Sequence, residues 1–254
     1  MLAEQVIRTT RNRAEVRAGK RGWFRFEAKA GDAVDVHIYD EISWFGITAQ
    51  DFTRELNVLP ASTKTINLHL NSPGGDVFDG ITIYNALKAH PAAVNVSVDG
   101  IAASIASVIA MAGNTVSMSK GSMMMIHEPY AMVLGNAADM RKQADALDLM
   151  GSSIASIYQA RAGDSLDFWR GQMAAETWYS DQQAVNAGLA DSVSSAPAAA
   201  ASFDLSIFRN GPTARRDEPV REEETPAAPV ADWRIEARRR VAAAQLEVIH
   251  GYGH

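Results

Sequence analysis

Residues 99–113 read Asp99-Gly-Ile-Ala-Ala-Ser104-Ile-Ala-Ser-Val-Ile-Ala-Met-Ala-Gly113, and their reading decides the fold. An apolar, largely β-branched run at 94–98 precedes Gly100, and an alanine-rich segment follows it. That order predicts a strand, a tight turn after the run that Gly100 ends, and a buried alanine-rich helix, with Ser104 at the turn. Ala102, Ala103 and Ala106 let a backbone approach closely, and a helix N-terminus presents free N–H groups that favour negative charge. By itself Ser104 supports two readings, a nucleophile held at a strand end or an ordinary helix cap.

Working outward, the same alternation of strand and helix recurs. Residues 35–39 (Asp-Val-His-Ile-Tyr) alternate as a strand does, and 48–59 carry Phe52, Leu56 and Leu59 at helical spacing after Thr48. A strand at 65–70 runs into Asn71-Ser72-Pro73-Gly74-Gly75, and a helix over 76–89 follows and is closed by Pro91. Beyond Ser104 come strands at 115–118 and 123–126, the latter leading into His127-Glu128-Pro129. A helix over 136–162 is long enough to project from the body as an assembly element. A short helix at 164–175, an extended Thr177-Trp178-Tyr179 and a Ser180-capped helix ending at Gly188 complete the pattern. Repeated β-α units of this kind predict an α/β fold with parallel strands and right-handed crossovers.

The flanks differ in composition. Residues 1–31 are basic and lack the hydrophobic centre of a secretory signal, so they read as a flexible leader. Residues 194–231 hold five of the nine prolines, an alanine run and Glu222-Glu223-Glu224, the composition of a disordered linker. Residues 232–254 have helical propensity, with Ile235, Ala242, Leu246 and Ile249 on one face, and read either as a partner-docking helix or as a solvated tail.

With 254 residues and 47% hydrophobic content the chain can bury a sizeable core. A net charge of -6 gives no electrostatic basis for nucleic-acid binding, and the longest apolar segment is too short to span a bilayer. The absence of cysteine excludes thiolate nucleophiles and disulfides, leaving oxygen or nitrogen for covalent chemistry. No metal or organic cofactor is indicated. Acyl transfer by serine needs a base, an orienting group and N–H donors for the oxyanion. His37 and His69 alternate within strands, His90 ends a helix, and His250 and His254 lie in the tail. His127 remains, at a strand end, as either a base or a structural histidine.

Four segments taken together carry a resemblance. Asn71-Ser72-Pro73-Gly74-Gly75, Gly100-Ile101-Ala102-Ala103-Ser104, Met125-Ile126-His127-Glu128-Pro129 and Ala184-Val185-Asn186-Ala187-Gly188-Leu189-Ala190-Asp191 stand in the order and at about the spacing of the ClpP serine peptidases. The similarity covers residues 32–193. It implies a ClpP/crotonase-like superhelical fold of β-α units. Gly74-Gly75-Asp76-Val77-Phe78-Asp79-Gly80, Asn136-Ala137-Ala138-Asp139 and Ala175-Glu176-Thr177-Trp178 further resemble the phage and prophage head maturation branch.

The resemblance implies that Ser104 is the nucleophile, that His127 is its general base, and that the N–H groups of Gly75 and Ile105 form the oxyanion hole. Glu176 stands where ClpP has an aspartate and is the candidate orienting acid, with Asp181 and Asp191 as competitors. Ile101 replaces a glutamine common before Ala-Ala-Ser in that family. Ser72 and Ser107 read as a turn residue and a packed helix residue.

Implied, too, are protein or peptide substrates bound extended along a strand edge, and a homo-oligomeric ring with the 136–162 helix as its contact. The location implied is the cytoplasm of a bacterial host or the interior of a phage prohead. The crotonase relatives bind acyl-CoA without such a pair, and Ser104 with His127 separates this chain from them. Three roles follow: a maturation protease acting on scaffold and capsid segments, its tail meeting capsid, scaffold or portal proteins; a proteolytic subunit served by an ATPase; and a non-catalytic assembly protein that keeps the fold.

Overall fold

The computed structural model describes residues 23–29, 31–42, 48–197, 203, 205 and 208–211. Period-two alternation builds its sheet. In β1 (Phe24–Ala28), β2 (Ala33–Ile38), β3 (Thr65–Ser72) and β4 (Ala93–Ala103) the large apolar residues turn to one buried face. Helix α1 (Ala49–Asn57) begins at a Thr48–Asp51 capping box and presents Phe52 and Leu56 to that face. Helix α2 (Val77–Ala89) begins at the Asp76 cap and buries Ile83 and Leu87. Strands β2, β3, β4 and β5 (Thr115–Lys120) pair in parallel in that order, and β8 (Ser192–Pro197) joins beyond β5. The repeated β-α architecture is the one the sequence predicts.

The leader does not extend to residue 31. β1 pairs antiparallel with β2, and Trp23, Phe24 and Phe26 pack around Phe52. The basic composition hides a strand whose aromatic residues alternate with Arg25 and Glu27, which form an ion pair of 2.6 Å. The expectations for residues 1–22 lie outside the described residues.

β4 also differs from expectation. It passes straight through Gly100, pairing with β5 over 95–98 and with β6 (Met123–Ile126) over 101–103. The pairing with β6 gives residues 101–103 a ladder to join and buries Ile101 and Ala103 beside Met125, so the strand persists where a turn is predicted. Ser104 stands at the turn, as predicted, but the turn lies beyond Ala103 rather than at Gly100, and the helix shortens to α3 (Ile105–Ala110). β6 pairs antiparallel with β7 (Thr177–Ser180).

Helix α4 (Ala137–Ala162) starts at an Asn136–Asp139 capping box, and its buried residues are Gly151, Ile154, Ala155 and Tyr158. Its first half carries the exposed Met140 and Leu149 and stands clear of the core, as the sequence predicts for a projecting element. Helices α5 (Leu166–Ala174) and α6 (Asp181–Asn186) close the domain, the latter capped by Ser180. The linker expected from 194 begins later: β8 runs to Pro197, and Phe203, Leu205 and Phe208 pack on the domain. The expectations for 212–231 and for a helix at 232–254 lie outside the described residues.

The sheet face away from α1 and α2 is polar and ordered into rows. Thr115 Oγ1 donates to Asn95 Oδ1 (3.1 Å), Asn95 Nδ2 to Asn67 Oδ1 (3.5 Å), and Asn67 Nδ2 to Asp35 (3.0 Å). In the next row His37 stacks on His69 with ring centroids 4.7 Å apart. His69 Nδ1 bonds Asp99 at 2.8 Å, and Ser97 and Tyr39 hydroxyls donate to the same carboxylate.

The bond to Asp99 raises the His69 pKa, against burial. Burial alone would raise Asp99, but its hydrogen bonds from His69, Ser97 and Tyr39 hold it below the usual range. His69 therefore adds stability below its unfolded pKa, and that contribution is lost as pH rises through the folded value. His69→Phe keeps the stacked ring and removes the bond. Urea unfolding is expected to show a loss of about 1.5–3 kcal/mol at pH 5.5 and a smaller one at pH 9.

Candidate active site

The β4–α3 junction fixes the serine. Ser104 has φ 55 and ψ −129, a conformation that costs a non-glycine residue about 1–3 kcal/mol. Several contacts hold it there. Its N–H donates to the Met125 carbonyl of β6 (2.9 Å), and its carbonyl accepts from Ser107 Oγ (2.5 Å). Ser107 Oγ in turn meets the hydroxyl of Tyr158, buried near the end of α4, at 2.7 Å. The long helix thus braces the carbonyl of the strained residue. Neither Tyr158 nor its link to Ser107 is visible in the sequence, because helical spacing marks both only as inward-facing.

His127 follows β6 directly, so the β4–β6 pairing sets its position relative to Ser104. Its Nε2 lies 2.7 Å from Ser104 Oγ. Burial lowers the His127 pKa, partly offset by the charge of Glu176. The loop after it is tied down on both sides: Glu128 N–H donates to the Met173 carbonyl (3.2 Å), and Arg170 Nε pairs with the Glu128 carboxylate at 3.0 Å. That pair crosses α4 at Gly151, where an added Cβ would sit 2.5 Å from Glu128 Oε2.

The glycine pair supplies the opposite wall. Ile42 forms a parallel bridge to Gly75, its N–H donating to the Gly74 carbonyl (2.7 Å) and its carbonyl accepting from Asp76 (2.9 Å). Because its two neighbours turn their groups to Ile42, the N–H of Gly75 faces the other way, into the groove. Gly75 has φ +143, and a Cβ there would lie 2.0 Å from the Ile42 oxygen. A Cβ on Gly74 would lie 2.6 Å from Ser104 Cβ. Among the described residues no hydrogen bond occupies the N–H of Gly75 or of Ile105. Ser72, expected as a turn residue, is instead the last residue of β3, paired with Ala102, and its Oγ accepts from Gly74 N–H at 3.2 Å.

Ser104, His127, Gly75, Val77, Phe78, Leu147 and Met150 line one groove of about 770 Å³. Glu176 is placed differently. It shares a neighbouring cavity of about 400 Å³ with His127. Its carboxylate, however, accepts from the backbone N–H groups of Arg209 (2.8 Å) and Asn210, and from Trp178 Nε1 (3.4 Å). Burial would raise this carboxyl, but those bonds outweigh it and hold it low. Among the described residues no hydrogen bond reaches His127 Nδ1. The competitors serve the frame: Asp181 accepts from Gly121 N–H (2.8 Å), and Asp191 accepts from Val116 N–H and Arg161, each at 2.6 Å. Among the described residues no cluster of His, Asp and Glu could hold a metal ion.

A strained serine hydrogen-bonded to an imidazole, set on a strand-to-helix turn, defines a serine hydrolase. Residues 22–197 match the Clp protease family, and the chain belongs to that family of serine peptidases. It is 31% identical over 150 residues to the ATP-dependent Clp protease proteolytic subunit 1 of Prochlorococcus marinus, covering 58% of this chain and 76% of that one. It is 32% identical over 144 residues to the ATP-dependent Clp protease proteolytic subunit 3 of Rhodococcus jostii, covering 55% and 71%. A subunit 2 of the same description from Synechococcus matches at 33% over 132 residues, covering 51% and 67%.

A Cβ on Gly75 would collide with the Ile42 oxygen, so Gly75→Ala must shift the backbone along the groove, and it is expected to lower the rate of labelling by an activated-serine probe by about 10²–10³-fold. Circular dichroism checks that the sheet still forms when the Ile42–Gly75 bridge is disturbed.

Proposed function

We propose that this chain is an endopeptidase in which Ser104 is the nucleophile, His127 the general base, and the N–H groups of Gly75 and Ile105 the oxyanion donors. The observation that carries the reading is the 2.7 Å contact between His127 Nε2 and Ser104 Oγ, beside two N–H groups that have no hydrogen-bond partner among the described residues. The Ser104 oxygen attacks a peptide carbonyl while its proton passes to Nε2. The oxyanion forms against the two N–H groups, and the amine leaves with the proton from Nε2. Water then repeats the sequence on the acyl-enzyme. Glu176 is the acid proposed to orient His127 in the working state. Val77, Phe78, Leu147 and Met150 give the groove an apolar lining suited to extended segments with apolar side chains.

We further propose that the substrates are scaffold and capsid segments of an assembling phage head, with the residues beyond 212 directing the protein to its particle and α4 mediating ring contacts. Support for this comes from the segments 74–80, 136–139 and 175–178. A second reading, a proteolytic subunit that receives chains from an unfoldase, is favoured by the names of the relatives. A hydrogen-bonded dyad speaks against a purely non-catalytic assembly role.

A fluorophosphonate probe is expected to label Ser104 in the wild type, and Ser104→Ala and His127→Ala are expected to lower peptide turnover by about 10⁶-fold. Absence of labelling and of peptide cleavage would overturn the assignment. Because burial depresses His127, the acid limb of the rate profile is expected below the ordinary histidine value of about 6.5. Cleavage of scaffold protein in assembled proheads without nucleotide supports the maturation role, whereas a strict need for an ATP-driven unfoldase supports the second reading.

A further inference from the structure

The residues beyond 194 have the composition of a linker, yet Phe203, Leu205 and residues 208–211 sit on the catalytic side of the domain. Phe208 is buried, with its ring edge-on to both His127 and Trp178 at 5.7 Å. It joins Ile101, Ala103 and Met125 in a small apolar cluster, against which Phe203 and Leu205 also pack. The next two residues, Arg209 and Asn210, give their backbone N–H groups to the two oxygens of Glu176, and Asn210 Nδ2 donates to the Ala175 carbonyl at 2.9 Å. Ile101 and Glu176 are the two site positions at which this chain departs from the ClpP pattern. Both departures meet the same segment.

Resting on the peptidase reading above, we propose that this segment is an intramolecular latch that withholds Glu176 from His127. While it is seated, the carboxylate is satisfied by two N–H groups and the imidazole works with Ser104 as a dyad. When the chain beyond β8 is drawn away, Glu176 loses those partners and can turn across the shared cavity toward Nδ1. The groups around the imidazole are Ser104, Tyr130, Glu176 and Arg209, with Glu128 held by Arg170. Of these, Glu176 is the carboxylate without a cationic partner among the described residues, and the one whose movement would change the base. The apolar seat on Ile101 and Met125 makes release costly enough to need an outside pull, such as docking of the tail on a partner.

The test uses the full chain with Phe208→Ala, which removes the anchor, and separately Asn210→Pro, which removes one N–H donor to Glu176. Both are expected to raise the fluorophosphonate labelling rate of Ser104 by about tenfold or more, since loss of the acid function costs a triad about 10⁴-fold in turnover. They are also expected to move the acid midpoint of labelling upward, because an ionised neighbour favours the imidazolium. In a Glu176→Gln background, adding Asn210→Pro is expected to give no gain. Equal or slower labelling with an unmoved midpoint, in variants whose melting shows them folded, would mean that the segment only supports the site and would overturn the latch. No labelling of any form, wild type included, would instead remove the peptidase assignment and the latch with it.

Discussion

Ser104 occupies a backbone conformation that an L-residue avoids, and much of the domain is arranged so that it cannot relax. On one side its N–H is fixed to β6, and on another the bare α-carbon of Gly74 lies against its Cβ. Beneath it the Ser107–Tyr158 bond ties its carbonyl to α4. Three of these constraints, from β6, Gly74 and α4, come from parts of the chain distant in sequence. The strain is local, and the restraint is spread across the fold.

The same arrangement explains why β4 is the long strand. Its first half belongs to the parallel sheet, and its second half leaves β5 for β6. One continuous strand therefore delivers the serine, while its second partner delivers the histidine immediately after Ile126. Register between β4 and β6 is then equivalent to the Ser104–His127 distance, and no flexible loop intervenes between the pairing and the chemistry.

Much of this was legible in the residues. Caps such as Thr48, Asn136 and Ser180, the alternation in β2 and β3, and the Gly74-Gly75 turn are local signals, and local signals survive in a sequence. The continuation of β4 through Gly100 was not legible, because the partner that holds it extended lies more than twenty residues away at 123–125. β1 was masked by arginine and lysine, although Phe24 and Phe26 alternate with charge. The docking of Phe208 was hidden in proline- and alanine-rich surroundings, where the large apolar residues Phe203, Leu205, Ile207 and Phe208 were the available hint. For the site, Ser104 and His127 could be named from motifs, but what Glu176 bonds to depends on a segment thirty residues downstream.

The rows of polar side chains on the far face of the sheet carry an evolutionary implication. Asn67 donates to Asp35 while accepting from Asn95, which itself accepts from Thr115. A change at either asparagine strands groups on two neighbouring strands at once, so these positions cannot drift independently. Descendants of this sequence should alter the row as a block or leave it alone, and single-site variation should concentrate at Thr115, where the row ends.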